Sequence, residues 1–132
     1  MARASGTFAV RLEPQGVSEG AQVAGIGLMS IDKQFSGGLE AASKGEMLAA
    51  MTAVEGSAGY VALERVTGTL HGRSGAFVLQ HSGIADHGSQ HLTIAVVPDS
   101  GTGALAGLCG QMTIQVEDGE HRYTLEYTLP QP

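Results

Sequence analysis

The chain has 132 residues, of which 42% are hydrophobic and 15% charged, and its formal net charge is −6 at pH 7. These proportions are typical of a folded protein, and the length suits a single domain over residues 1–132. The excess of acidic residues argues against a nucleic-acid partner, because there is no basic field to meet phosphate. No apolar stretch approaches the length of a membrane helix, so no membrane partner is expected.

Cysteine and glycine usage narrows the class of protein further. Cys109 is the one cysteine, which excludes an internal disulfide framework and predicts a reducing, cytoplasmic location. The first residues contain no apolar segment of the kind that a signal peptide needs. Twenty glycines with only four prolines indicate many turns and close backbone approaches, as in all-β folds.

The N-terminal third predicts two strands. Residues 1–6 are expected to fray, and Thr7–Glu13 alternates apolar and polar side chains with period two, as a half-buried strand does. Pro14–Gly25 is expected to be an irregular polar connection. Ile26–Phe35 predicts a second strand with Met29, Ile31 and Phe35 on one side, and a glycine turn follows at residues 36–38.

Two structures fit the next segment, Leu39–Val54. Its Ala, Glu, Lys, Leu and Met residues favour a helix, although Gly45 in the middle weakens that prediction. As a strand, it would place small and methionine side chains on one face, with Met47 as a pliable wall. From these residues alone, the two alternatives are evenly balanced.

The stretch from Ala58 to Gly83 predicts a long antiparallel hairpin around a two-residue type II′ turn at Gly72-Arg73. That turn would place Glu64 directly opposite His81. Another loop length would slide these pairs along the strands. One face of the hairpin would carry Tyr60, Glu64, Val66, Phe77, Leu79 and His81.

The predicted pairing of Glu64 with His81 places two polar groups on an otherwise apolar face. Each is costly to bury unless the other satisfies it. The pair is therefore either a structural hydrogen bond in the core or a catalytic acid–base pair in a cavity, because histidine titrates near neutral pH.

The C-terminal part predicts further strands. Residues 84–90 are expected to be a polar loop, Leu92–Val97 a strand and Pro98–Gly103 a turn. Asp118-Gly119 is a strong type I′ signal and predicts a final hairpin between residues 111–117 and 120–129. One face of that hairpin would carry Met112, Ile114, Val116, His121, Tyr123, Leu125 and Tyr127. Cys109 has the parity of the polar face and is expected near the surface as an inert thiol.

Seven or eight strands joined by short turns predict an all-β fold, a closed antiparallel eight-stranded barrel, because closure removes the exposed sheet edges. An interior of that size can be filled by side chains or can hold one small ligand.

Several motifs resemble the bacterial DUF3224 family: the run from Met29 to Gly37, residues 59–75, Phe77–Gly83 and residues 97–103. The resemblance covers nearly the whole chain and favours a strand over Leu39–Val54. It implies a barrel similar to that of allene oxide cyclase, whose architecture cyclises or orients small apolar substrates. Gly38, where the family usually has Asp, and the segment Ile84–His91 depart from the family pattern.

Two functions remain open. In the first, the barrel binds a small apolar or aromatic, oxygen-bearing molecule, with Glu64 and His81 as catalytic groups of an isomerase, cyclase or lyase. The ligand would be bound by Tyr60, Val66, Phe77, Leu79, Tyr123, Tyr127 and Met47. In the second, the barrel is a non-catalytic carrier, or a structural module with a filled core that forms a homo-oligomer such as a dimer. No metal site or cofactor is predicted, because the histidines do not show convergent ligand spacing.

Overall fold

The computed structural model describes residues 1–130, which form one closed antiparallel barrel. Each strand pairs with its neighbour in sequence, and the first strand pairs with the last. The prediction of a closed eight-stranded barrel is confirmed. The strands are β1 (Ala2–Gln15), β2 (Ile26–Gly37), β3 (Leu39–Met51), β4 (Ala58–Leu70), β5 (Arg73–Asp86), β6 (Ser89–Val96), β7 (Cys109–Glu117) and β8 (Glu120–Thr128).

The two ends of the barrel differ. At one end, here called the closed end, the connection from β6 to β7 folds through a 3-10 turn, Gly103–Leu105. This connection places Leu105 and Leu108 in the core, where both are fully buried. Thr102 fixes it to β5, since its backbone N–H donates to Ala76 O at 2.8 Å and its hydroxyl accepts from Ala76 N–H at 3.1 Å. Among residues 1–130, no comparable connection fills the opposite end, here called the open end, where the helix between the first two strands buries no residue.

Strand β1 is longer than the sequence predicts. Ala2 to Gly6, expected to fray, pair with Tyr127 to Tyr123 of β8, so this segment closes the barrel. The connection expected over Pro14–Gly25 begins as strand and then forms a short helix, α1 (Glu19–Val23), which Ser18 caps through a hydrogen bond from Ala21 N–H. Within residues 1–130, no helix is both long and apolar enough to cross a membrane.

The ambiguous segment is a strand, β3, and the helical alternative is wrong. Its residues alternate between the two sides of the wall, with Leu39, Ala41 and Ser43 buried and the residues between them exposed. Strand neighbours on both sides override its helix propensity, because β3 pairs along its length with both β2 and β4.

The turn of the central hairpin lies one residue earlier than predicted, at His71-Gly72. Both residues have positive φ, 47° and 80°, so the turn is type I′ rather than type II′. Glu64 consequently pairs with Leu79, and His81 pairs with Ala62. Because the pairs slide by two residues, every side chain keeps its predicted face.

The prediction of a polar loop over residues 84–90 is wrong. Strands β5 and β6 continue through it and meet at His87-Gly88, whose φ angles of 50° and 89° again form a two-residue turn. The final hairpin on Asp118-Gly119 is confirmed with its predicted register, including Met112 opposite Leu125. Cys109 is exposed, as predicted.

The inward-facing side chains lose burial toward the open end. Along β1, Phe8 is 7% exposed and Leu12 is 44% exposed; along β6, Ile94 is 2% exposed and Leu92 is 44% exposed. The half of the barrel next to the closed end is therefore filled by side chains and is called the packed half below. The half next to the open end is called the open half. On the wall formed by β3, β4 and β5, the inward positions of the open half carry five small residues beside Met47, Met51 and Tyr60. The small residues are Ala49, Ala58, Ala62, Gly83 and Ala85.

Candidate functional site: a buried polar cluster

Four polar side chains enter the barrel interior from four consecutive strands. Lys33, Ser43, Glu64 and His81 come from β2, β3, β4 and β5, and all four are buried. They lie at the boundary between the packed half and the open half. They are called the polar cluster below.

Gly45 gives the Glu64 side chain its position. It is the direct partner of Glu64 on β3. A Cβ at residue 45 would lie 2.6 Å from the Glu64 Cα and 2.0 Å from the Leu63 carbonyl oxygen. Only glycine leaves this space open, so the carboxylate can reach across β3 toward Ser43 and Lys33.

Glu64 is the centre of the cluster. Its Oε1 accepts a hydrogen bond from the Ser43 hydroxyl at 2.7 Å. Its Oε2 accepts from Lys33 Nζ at 2.8 Å and bonds His81 Nε2 at 2.5 Å. The Glu64 side chain is wholly buried, so these three partners replace the water that a carboxylate would otherwise bind.

These contacts keep Glu64 ionised. Burial alone would raise the pKa of its carboxyl group. The hydrogen bond with His81, the charge of Lys33 and the hydrogen bonds from Lys33 and Ser43 outweigh burial and lower this pKa from 4.5 to about 2. At neutral pH, the carboxylate therefore accepts every hydrogen bond that it makes.

The ionised carboxylate fixes the tautomer of His81. An acceptor at Glu64 Oε2 requires the hydrogen on Nε2, so the neutral ring has a lone pair on Nδ1. No partner of Nδ1 is present within residues 1–130. In the same range, no fully buried side-chain nitrogen or oxygen lacks a partner, so Nδ1 keeps some exposed surface. The His81 side chain is 6% exposed, whereas that of Glu64 is 0% exposed.

Neither Ser43 nor Lys33 is among the predicted site residues, and Lys33 is the charged one of the two. Its ammonium lies 4.9 Å from the centre of the Phe8 ring and 5.8 Å from that of Phe35, which favours a cation there. Of its three N–H donors, one binds Glu64, and the side chain is 7% exposed. The sequence does indicate this position, because Lys33 is two residues from both Ile31 and Phe35 and therefore lies with them on the inward face of β2.

Tyr60 and Met47 lie on the open side of the cluster, on β4 and β3. The Tyr60 ring covers Gly83, where an added Cβ would lie 2.2 Å from the ring. Burial, followed by the charge of Glu64, raises the pKa of the Tyr60 hydroxyl. Both side chains are half-buried, so they border the open part of the interior.

The other five predicted ligand contacts lie in the packed half. Tyr123 has its hydroxyl in the wall, where it accepts from Leu39 N–H at 3.0 Å and donates to Ser36 O at 3.0 Å. The Tyr127 hydroxyl bonds His71 Nδ1 at the closed end. The remaining three are fully buried: Val66, Phe77 and Leu79. Contact between these five residues and a ligand stays a prediction.

The outer wall of the barrel also carries an apolar hollow. A hollow of about 470 Å³ on the outer wall is lined by the outward-facing residues Leu28, Leu48, Val61 and Leu63, and neither Glu64 nor His81 borders it.

Within residues 1–130, no three His, Cys, Asp or Glu side chains converge as metal ligands would.

A family model described as "Protein of unknown function (DUF3224)" matches residues 4–127. The chain belongs to the DUF3224 family. A crystal structure of a DUF3224 protein of unknown function from Shewanella oneidensis MR-1 is similar, with a TM-score of 0.93 and 49% sequence identity. The match covers 100% of this chain and 99% of that one. No curated protein matches the chain.

Proposed function

We propose that this DUF3224 barrel binds a small, largely apolar, oxygen-bearing molecule in the open half of its interior. The observation that carries the proposal is the polar cluster at the base of that half. The Glu64 carboxylate is hydrogen-bonded and its side chain has no exposed surface, whereas the side chains of Lys33 and His81 are slightly exposed. The apolar wall would bind the body of the ligand, and Lys33 Nζ and His81 Nδ1 would bind its polar group.

The same geometry supports acid–base catalysis of the isomerase, cyclase or lyase type. Glu64 holds the imidazole in one orientation and would stabilise the imidazolium that forms when His81 Nδ1 takes a proton. A barrel that orients its substrate in this way needs few catalytic groups.

Native mass spectrometry of gently purified protein tests the proposal. We expect a co-purifying small molecule, released on denaturation, that is absent from a folded Glu64→Gln/His81→Ala variant. Gln80→Ala is the matched control, because Gln80 neighbours His81 on β5 but faces outward and is exposed.

Equal retention of the molecule by all three proteins would contradict the placement in the barrel interior. A bound molecule that the wild-type protein does not convert would identify a carrier and contradict the catalytic part of the proposal. A circular dichroism melt of each variant confirms that it is folded.

A further inference from the structure

We infer that the ligand is an enolisable carbonyl compound, with its carbonyl oxygen on Lys33 and the hydrogen of the adjacent carbon facing His81 Nδ1. This inference rests on the proposed function and names the substrate class of the same site. It also gives Lys33, which is absent from the predicted site, the role of a binding residue.

The position of Lys33 and the His81 ring around one carboxylate oxygen supports this class. Lys33 Nζ and His81 Nε2 bond the same oxygen, Glu64 Oε2, at 2.8 and 2.5 Å, so they lie side by side. One presents cationic N–H donors, and the other ring nitrogen of His81 presents a lone pair. A carbonyl oxygen can accept from that donor while a C–H on the carbon next to the carbonyl carbon faces that acceptor.

A hydrocarbon would leave His81 Nδ1 and the remaining N–H donors of Lys33 without a partner, which is costly in an apolar interior. An alcohol without a carbonyl group could occupy the acceptor on His81 but would present no developing negative charge to the ammonium of Lys33. A cation beside a base suits proton abstraction next to a carbonyl, because the cation stabilises the negative charge that develops on the oxygen.

The chemical step balances without another reactant. The C–H bond breaks, its proton passes to His81 Nδ1, and its electron pair forms the carbon–carbon double bond of an enolate. The negative charge moves to the oxygen beside Lys33, and Glu64 faces the new imidazolium. Return of the proton to the same carbon gives exchange, and return to another carbon gives an isomer.

A matched series of probes separates this inference from the proposed function: indane, 1-indanone and 2,2-dimethyl-1-indanone. All share one bicyclic body, but indane lacks the carbonyl group and the dimethyl ketone lacks the acidic hydrogen. We expect 1-indanone and its dimethyl derivative to bind about tenfold tighter than indane, since each gains a hydrogen bond from a charged donor. Lys33→Met, which keeps the side-chain length, should remove that preference.

Hydrogen–deuterium exchange at carbon 2 of 1-indanone, followed by proton NMR in D2O, tests the role of His81. We expect the wild-type protein and the Gln80→Ala control to accelerate exchange above the buffer rate. His81→Gln should lose the acceleration while still binding the ketone, which separates catalysis from binding.

Three outcomes decide the matter. Ketone preference that depends on Lys33, with exchange that depends on His81, supports the inference. Equal affinity for indane and 1-indanone, or exchange no faster than in buffer, overturns the inference and leaves the proposed function standing. Failure of all three probes to bind overturns the proposed function together with the inference.

Discussion

Glu64 occupies an inward position of β4 between Ala62 and Val66, where a hydrocarbon side chain would avoid the cost of burying a charge. Three hydrogen bonds offset that cost, and they come from strands on both sides of β4. Because removal of one partner leaves another buried group unsatisfied, the cluster acts as a unit. Each member therefore influences both stability and the chemistry at the open side.

The pH dependence of stability tests the ionisation of Glu64. Its pKa is depressed in the folded protein, to about 2, so its contribution is fully present above about pH 5 and is lost as pH falls toward 2. The depression corresponds to roughly 3 kcal/mol of stability. Urea unfolding from pH 6 to pH 2 should show a steeper loss for the wild-type protein than for Glu64→Gln.

Glu46→Gln is the control for that experiment, because Glu46 is an exposed carboxylate on the neighbouring strand. Its profile should parallel that of the wild-type protein. Parallel profiles for the wild-type protein and Glu64→Gln would show that Glu64 is not held ionised by the cluster.

At the scale of the elements, the hairpin turns decide which residues face each other. The sequence predicts the Asp118-Gly119 turn correctly, because Asp-Gly is a specific type I′ signal. Both His71-Gly72 and Gly72-Arg73 contain a glycine and can close a two-residue loop. The two registers differ by two residues and give the same faces, so the alternation of side chains could not distinguish them.

Two glycine substitutions test the turn at His71-Gly72. Neither Gly72 nor Gly27 has an atom within 4 Å of an added Cβ, but Gly72 alone has a positive φ, +80°. We expect Gly72→Ala to lower the free energy of unfolding by about 1 kcal/mol, because an L side chain is strained there.

Gly27→Ala should leave stability unchanged or raise it by up to about 1 kcal/mol, since alanine loses less backbone entropy on folding. Urea unfolding of both variants gives the comparison. An equal effect of the two substitutions would contradict the type I′ geometry of the turn.

For the whole molecule, the sequence predicts closure into a barrel and the two faces of its wall, because both follow from period-two alternation and short turns. It predicts Glu64 and His81 on one face of the wall, but not their contacts with Lys33 and Ser43. Lys33 on β2 and Glu64 on β4 are separated by an intervening strand, and their contact depends on Gly45 leaving space on β3. Such a relation between non-adjacent strands has no local signature. The homodimer, the cytoplasmic location and the likeness to allene oxide cyclase stay predictions.

The pairing between β6 and β7, here called the seam, is short. Strands β6 and β7 pair only at Ile94 with Met112 and at Ala95 with Gln111, whereas β3 and β4 pair from Leu39 to Met51. Native-state hydrogen exchange should therefore show faster exchange of the β6 and β7 amides at this seam than of the β3 and β4 amides. Uniform protection around the barrel would contradict a weak seam.

We claim that a ligand enters the open half and not the packed half, and methionine methyl NMR distinguishes these two placements. Met29 and Met47 face each other on the inner wall of the open half, Met112 is buried in the packed half, and Met1 is exposed at the N-terminus. With 13C-methyl methionine and added 1-indanone, we expect saturable shifts of Met29 and Met47 while Met112 and Met1 stay in place. Shifts confined to Met1, or no saturable shift at Met29 and Met47, would contradict the claim.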